Sequence, residues 1–211
     1  MVIDIGSNIG LYSLFSSKLG RDVLSVEPFE DNIIRFHKAV KIQGLENRIT
    51  LLNNVVYNKP GIIKKIYYHN GNYGNQMVEK QSDDKYKQAD DKFLVKSIVL
   101  DDLIEYLPID KKTNQIYKKA IMKIDIEGFE AIAFQSIKKL LKSIDIKVIF
   151  MEWVHVKRAI EGTFEDKCLI DMVDLLKSNG YQPFTVKNEL LDFNKYKQWT
   201  HGDVCWRKEK K

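Results

Sequence analysis

The 211-residue chain has few cysteines and histidines, and this absence excludes several classes of protein. Its two cysteines, Cys168 and Cys205, are too few and too far apart for a disulfide framework, and neither lies in a C-x-x-C motif. The four histidines are widely separated along the sequence. We therefore predict no disulfide-stabilised scaffold and no zinc site. The predicted site residues include no assigned metal ligand, although a divalent ion on the acids described below stays an alternative.

Long apolar runs are also missing. No run approaches the roughly 20 residues that a transmembrane helix requires, and no signal peptide is visible. A cytoplasmic location is the default expectation. Met1 stands directly before the first predicted strand, whereas many folds of this kind have earlier elements, so a missing N-terminal anchor or signal stays open.

A basic face interleaved with aromatic residues is not visible either. The net charge of +5 comes from 34 Lys and Arg against 29 Asp and Glu, and the lysines are scattered among the acids. This pattern indicates a solvated lysine surface and no nucleic-acid partner. The length and the lack of internal repeats predict one domain over 1–211, with a charged insertion at 79–92.

The first informative stretch is VIDIGSNIG at residues 2–10. Its β-branched start predicts a strand covered on both faces, and Gly6 supplies the backbone freedom for a sharp strand-to-helix turn. Ser7 or Asn8 is expected to cap the following helix. Gly10 allows that helix to lie close to the sheet, or a ligand to approach the backbone. The helix carries four apolar residues, Leu11, Leu14, Phe15 and Leu19.

A second apolar strand ends in Glu27, and the distance from the glycine turn is informative. A carboxylate about 20 residues after such a turn is placed to accept hydrogen bonds from two ribose hydroxyls. Dinucleotide sites use G-x-G-x-x-G, whereas this turn lacks the middle glycine and is preceded by Asp4. An acid at Asp4 would repel a phosphate, but it suits a ligand that carries an ammonium or sulfonium group.

Residues after the second and third predicted strands are further candidates for ligand contact. Pro28 and Phe29 follow Glu27 directly, and Phe29 either stacks on a flat base or is a core aromatic. Asn53 or Asn54 either contacts the ligand at the sheet edge or forms an asparagine turn.

The glycine- and asparagine-rich segment at 69–77 predicts a loop.

The second informative stretch is AIMKIDIEGFE at residues 120–130. It predicts a strand that ends in Asp125, a turn, and a helix through Leu141. Asp125 and Glu127 would then point to the mouth of the site, where they could hold an amine, act as a general base, or bind a divalent ion. Capping of the helix explains Glu130, but it does not explain Asp125.

One further strand ends in an acid. Residues 147–153 predict a strand, and Glu152 and His155 near its end could face the substrate. A lone loop histidine is either a catalytic base or a structural residue, and the sequence leaves both interpretations open for His155.

Taken together, the two stretches resemble the FkbM family of methyltransferases. The VIDIGSNIG segment with Glu27 is shared by many methyltransferases, and the K-I-D-x-E-G-x-E phrase from Lys123 is more particular to this family. The resemblance implies an α/β, Rossmann-like class I methyltransferase fold. It has three layers, α/β/α, with a mostly parallel seven-stranded sheet and a C-terminal antiparallel hairpin.

The resemblance also implies a function. S-adenosyl-L-methionine would be the methyl donor, and the reaction would be O-methylation of a hydroxyl on a small molecule or glycan. By resemblance, Asp4, Gly6 and Gly10 shape the methionine end of the site, Glu27 holds the ribose, and methyl transfer occurs beside Asp125 and Glu127.

The predicted catalytic residues are Asp125, Glu127 and His155. The predicted cofactor-binding residues are Asp4, Gly6, Ser7, Asn8, Gly10, Glu27, Pro28, Phe29 and Asn54. A non-catalytic cofactor-binding module is one alternative, and an NAD-dependent oxidoreductase is another, although the latter would need the missing glycine.

Overall fold

The computed structural model describes residues 1–69, 72–78, 93–154, 156 and 162–208, with side chains outside 63–69 and 72–78. The predicted insertion at 79–92 and the candidate base His155 lie outside the described residues. Within the described part of the chain, no helix combines the length and the apolar character needed to cross a membrane.

Thirteen strands occur among the described residues. They are β1 (Val2–Ile5), β2 (Val23–Val26), β3 (Ile49–Leu52), β4 (Val55–Val56), β5 (Ile63–His69), β6 (Asn72–Val78), β7 (Leu94–Ile98), β8 (Ile109–Asp110), β9 (Gln115–Ile116), β10 (Lys119–Ile124), β11 (Asp145–Glu152), β12 (Tyr181–Phe184) and β13 (Asp203–Lys208).

The helices named among the described residues are of two kinds. The α-helices are α1 (Leu11–Lys18), α2 (Glu30–Ile42), α3 (Glu130–Ala133), α4 (Lys138–Ser143) and α5 (Phe164–Ser178). The 3-10 helices are Leu100–Tyr106, Phe134–Ser136 and Phe193–Gln198. The single helix predicted through Leu141 is therefore wrong, because a 3-10 turn separates α3 from α4.

The main sheet has seven strands in the order β12-β13-β11-β10-β1-β2-β3. Neighbours from β11 to β3 are parallel, whereas β13 runs antiparallel to both β11 and β12. This arrangement confirms the predicted α/β fold, including its antiparallel C-terminal strands. Because β1 lies in the middle and pairs with both β2 and β10, the carboxyl ends of these three strands lie side by side at one edge.

The two faces of the central strands differ in character. Ile3 and Ile5 pack into the main apolar core, together with residues of α3, α4 and α5. Asp4 points to the opposite face, where Ser25 and Lys123 are its register partners on the neighbouring strands. This polar row lies beneath α1, whose Ser13 contacts Asp4 and Ser25.

Helix α1 differs from the prediction in two ways. Its N-cap is Gly10, with a φ of 87° and no capping side chain, so the predicted capping by Ser7 or Asn8 is wrong. The buried residues of α1 are Ser13 and Ser17, whereas three of the four apolar residues are exposed, namely Leu11, Phe15 and Leu19. Serine is buried here because the facing strand surface is polar: the Ser13 hydroxyl lies 2.8 Å from that of Ser25.

The loop predicted at 69–77 is wrong for most of its length. Residues Asn72–Val78 form β6, which pairs antiparallel with β5 in a second sheet of order β4-β7-β5-β6. Pairing with β5 satisfies the backbone groups on the inner side of this edge strand whatever its side chains, so polar composition alone does not exclude a strand.

Candidate active site

A cavity of about 650 Å³ lies beside the carboxyl ends of β1, β2 and β10. It is lined mainly by four segments, namely 6–12, 26–29, 54–56 and 123–129. Of the predicted residues, those that line it are Gly6, Ser7, Asn8, Glu27, Pro28, Phe29, Asn54, Asp125 and Glu127. Asp4 and Gly10 do not line the cavity.

The turn after β1 is held tightly against the end of β10. Gly6 has a φ of 72°, and a Cβ atom placed on it would lie 1.8 Å from the carbonyl oxygen of Asp125. Glycine is therefore required both by the backbone conformation and by the close approach. The next residue, Ser7, is buried, and its hydroxyl has no hydrogen-bond partner among the described residues.

Glu27 is fixed by three N–H groups at the cavity wall. Its Oε2 atom accepts a hydrogen bond from the backbone N–H of Asn8 at 2.8 Å, and its Oε1 atom accepts one from the backbone N–H of Phe29 at 3.0 Å. The side-chain amide of Asn32 donates a further bond to Oε1 at 3.2 Å. Burial raises the pKa of Glu27, and these hydrogen bonds oppose the increase. The carboxylate is thus preorganised, with its orientation set by the loop and by α2.

Asp4 is completely buried beneath the turn. The hydroxyl of Ser13 donates to its Oδ2 atom at 2.5 Å, and Lys123 Nζ lies 3.9 Å from its Oδ1 atom. Burial raises the pKa of Asp4, whereas Lys123 and Ser13 act in the opposite direction. Gly10 does not line the cavity either, and a Cβ atom there would lie 2.3 Å from the ring of Phe36. Asp4 and Gly10 therefore stabilise the turn after β1 without lining the cavity.

The remaining predicted cofactor residues form one wall of the cavity. Phe29 is only 2% exposed and lies edge-on to Phe93, with ring centroids 6.3 Å apart. It is therefore both a core aromatic and part of the lining. Asn54 donates to the carbonyl oxygen of Lys96 at 3.0 Å, whereas Asn53 donates to the carbonyl oxygens of Glu27 and Pro28. Only Asn54 of the two lines the cavity.

Two predicted catalytic acids, Asp125 and Glu127, line the cavity at the end of β10. The carboxylate of Asp125 is 39% exposed and forms an ion pair with Lys123 at 3.2 Å. Glu127 has a φ of 57°, which turns the chain sharply after the strand. Burial and the nearby charge of Asp125 raise the pKa of Glu127.

Two neighbouring residues, Lys123 and Glu130, were missed as site residues or assigned another role by sequence reasoning, whereas the third, Glu152, was expected to face the substrate. Lys123 lines the cavity, and its spacing of two from Asp125 was a usable signal because alternate strand residues share a face. Glu130 is completely buried, and its Oε1 atom accepts a hydrogen bond from the backbone N–H of Ile126 at 2.8 Å. Burial, reinforced by neighbouring acids, raises the pKa values of Glu130 and Glu152 to about 8.

Solved structures share this fold at low sequence identity. A crystal structure of methyltransferase FkbM from Methylobacillus flagellatus KT matches with a TM-score of 0.52 and 16% identity, over 98% of this chain and 43% of that chain. This chain therefore spans less than half of that protein's length. An O-methyltransferase from Bacillus cereus in complex with SAH matches with a TM-score of 0.50 and 11% identity, over 97% of this chain and 71% of that chain.

Sequence comparison identifies the family directly. Among curated proteins, no significant match to this chain is found. The methyltransferase FkbM domain matches residues 4–183, which include the first motif stretch from Asp4 onward and the whole of the second. The chain therefore belongs to the FkbM methyltransferase family, as the K-I-D-x-E-G-x-E phrase predicted.

Proposed function

We propose that the chain binds S-adenosylmethionine in the cavity and transfers its methyl group to a hydroxyl group of a small molecule or glycan. The observation that carries the proposal is the carboxylate of Glu27, which three N–H groups hold at the cavity wall. A carboxylate in this place after the second strand suits the paired hydroxyls of a ribose. The SAH in the Bacillus cereus structure supports a ligand of the same nucleoside class.

The other lining residues fit the rest of this ligand. The buried hydroxyl of Ser7, which has no partner within the described ranges, has hydrogen-bonding capacity for a polar ligand group. The backbone of Gly6 and Asn8 offers close approach to the methionine part of the ligand. Phe29 and Asn54 would flank the adenine, the former by ring contact and the latter at the rim. Asp4 and Gly10 would support this site indirectly, through the turn.

The reaction needs a proton acceptor and close positioning. When bound, S-adenosylmethionine supplies an electrophilic methyl group on a positively charged sulfur. Asp125 or Glu127 would accept the proton of the acceptor hydroxyl, whose oxygen would form the bond to the methyl carbon as the bond from that carbon to sulfur breaks. The electron pair of the broken bond would stay on the sulfur, and S-adenosylhomocysteine would leave. Holding the two groups within near-attack distance supplies much of the rate. His155, the third predicted base, remains a prediction.

Calorimetry with S-adenosylmethionine and with NAD tests the choice of ligand. We expect binding of the first only, because the turn lacks the glycine that admits a pyrophosphate. Binding of NAD alone would favour the oxidoreductase, and binding of neither at millimolar concentration would contradict the proposal.

Transfer is tested separately from binding. The protein is incubated with a methyl-labelled donor and a cell extract, and mass spectrometry identifies products that carry the label. We expect the label on a hydroxyl oxygen. Donor binding without any labelled product would support the non-catalytic module instead.

A further inference from the structure

Three carboxylates from three different elements meet beside the cavity. Asp125 follows β10, Glu130 is the first residue of α3, and Glu152 is the last residue of the parallel neighbour β11. One carboxylate oxygen from each lies within 4.8 Å of the other two. Two oxygens on the same ion are separated by at most twice the metal–oxygen distance, roughly 4–5 Å for a hard divalent cation. The spacing is therefore compatible with one ion bound by all three carboxylates.

Glu130 gives an independent indication of a ligand. Its side chain is completely buried, and its Oε1 atom already accepts the backbone N–H of Ile126. Its Oε2 atom is also buried and finds no hydrogen-bond donor in the described part of the chain. A buried carboxylate oxygen without a partner is unfavourable, and a bound cation would remove this penalty.

The charge balance favours the same conclusion. Lys123 is the described ion-pair partner of Asp125, and its ammonium group is shared with Asp4 at 3.9 Å. One ammonium group therefore balances the charges of two carboxylates, those of Asp4 and Asp125. Like charges this close repel each other in a partly buried site, and a divalent cation among them would reverse the interaction.

We propose that Asp125, Glu130 and Glu152 bind a hard divalent cation such as Mg²⁺, Mn²⁺ or Ca²⁺. A donor set made only of carboxylate oxygens suits these ions rather than zinc or copper. Because Asp125 also lines the cavity, the ion would lie next to the acceptor. If the proposed methyl transfer is correct, the ion would bind and polarise the acceptor oxygen and leave Glu127 to accept the proton.

Titration of the metal-free protein with Mn²⁺ tests the site without any activity assay. Calorimetry and electron paramagnetic resonance are recorded for the wild type, Glu130→Gln, Glu152→Gln and the control Glu105→Gln, an exposed acid of the Leu100–Tyr106 helix. Glutamine at 130 preserves the volume and the acceptor for the Ile126 N–H. We expect one Mn²⁺ to bind per wild-type chain. In both site variants the affinity for Mn²⁺ should fall by roughly tenfold or more, whereas in the control it should be unchanged.

Two results would overturn the proposal. One is the absence of Mn²⁺, Mg²⁺ and Ca²⁺ binding to the wild type at millimolar concentration. The other is undiminished binding in Glu130→Gln, or in Glu152→Gln if the first variant does not fold. Titration with S-adenosylmethionine separates the two proposals. Binding of the donor without binding of a cation contradicts only the metal site. Binding of a cation without binding of the donor contradicts only the proposed function.

Discussion

The ammonium group of Lys123 donates a hydrogen bond to the carbonyl oxygen of Gly6 at 2.7 Å. It also lies 3.2 Å from Asp125 Oδ2 and 3.9 Å from Asp4 Oδ1. The side chain of Lys123 is only 17% exposed, so that water weakens these interactions less than at the surface. One side chain therefore connects the turn after β1 with the acid that follows β10.

Replacing Lys123 by Met should weaken both the fold and the site. The variant keeps the apolar stem but leaves the Gly6 carbonyl without its donor and Asp4 buried without its cation. We expect the free energy of unfolding, measured by urea denaturation, to decrease by roughly 2–4 kcal/mol. S-adenosylmethionine should bind at least about tenfold more weakly, because the turn loses its anchor. Lys119→Met, an exposed change on the same strand, is the control, and equal behaviour of the two variants would contradict the prediction.

Replacing Glu27 by Gln tests the ribose-binding assignment. The amide presents an NH₂ group where the carboxylate accepted N–H groups from Asn8 and Phe29, so that at least one hydrogen bond is lost. We expect the free energy of unfolding to decrease by about 1–3 kcal/mol and donor affinity to fall about tenfold or more by calorimetry. Glu30→Gln, an exposed change three residues later, should leave affinity unchanged. Unchanged affinity in Glu27→Gln would remove this residue from the site.

The sequence is sufficient to predict which strands meet at the site. Each motif is local, and the carboxyl ends of neighbouring parallel strands lie at one edge, so the sequence alone places Glu27 and Asp125 near each other. How deeply each acid is buried is not predictable in the same way. In the sequence Asp4 and Asp125 are both acids at the end of an apolar strand, but Asp4 lies one residue before the end of β1 and beneath α1, where it is completely buried.

The errors in α1 have a related cause. A helix with Leu11 and Phe15 is expected to bury them, yet the surface that receives α1 is a polar row, and the small residue Ser13 faces it. The apolar pattern of the helix does not reveal the polarity of its partner. Glu130 is likewise recognisable in the sequence as an acid near a helix start, but its proximity to Glu152 depends on the β10–β11 pairing.

Replacing Gly6 by Ala separates backbone strain from steric conflict. Gly6 and Gly20 both have positive φ values, 72° and 77°, but only at Gly6 would the new Cβ meet another atom, the Asp125 carbonyl oxygen at 1.8 Å. Gly20→Ala should lower the free energy of unfolding by about 1–2 kcal/mol through the left-handed conformation alone. Gly6→Ala should lower it by a further ~2 kcal/mol or more, because the turn must move away from β10. Equal losses in urea denaturation would show that the close contact is not important for stability.

The ion pairs of Asp145 predict part of the acid sensitivity of the fold. Its carboxylate accepts hydrogen bonds from Lys147 Nζ at 2.5 Å and Lys208 Nζ at 3.0 Å, and these lower its pKa in the folded state. The unfolded chain then binds more protons than the folded chain as the pH falls. The stability from Asp145 is therefore complete above its ordinary pKa near 3.9 and is lost as the pH falls through the lower folded value.

Asp145→Asn should remove this contribution to the pH dependence. Urea denaturation of the wild type and the variant at pH values from about 5 down to about 2 should show a less steep loss of stability in the variant. The difference at neutral pH should be small, because the side chain of Asp145 is 37% exposed and water screens its ion pairs. Lys147→Met should have part of the same effect, since Lys208 still contacts Asp145 in that variant. Identical slopes for the wild type and Asp145→Asn would assign the acid sensitivity to other carboxylates.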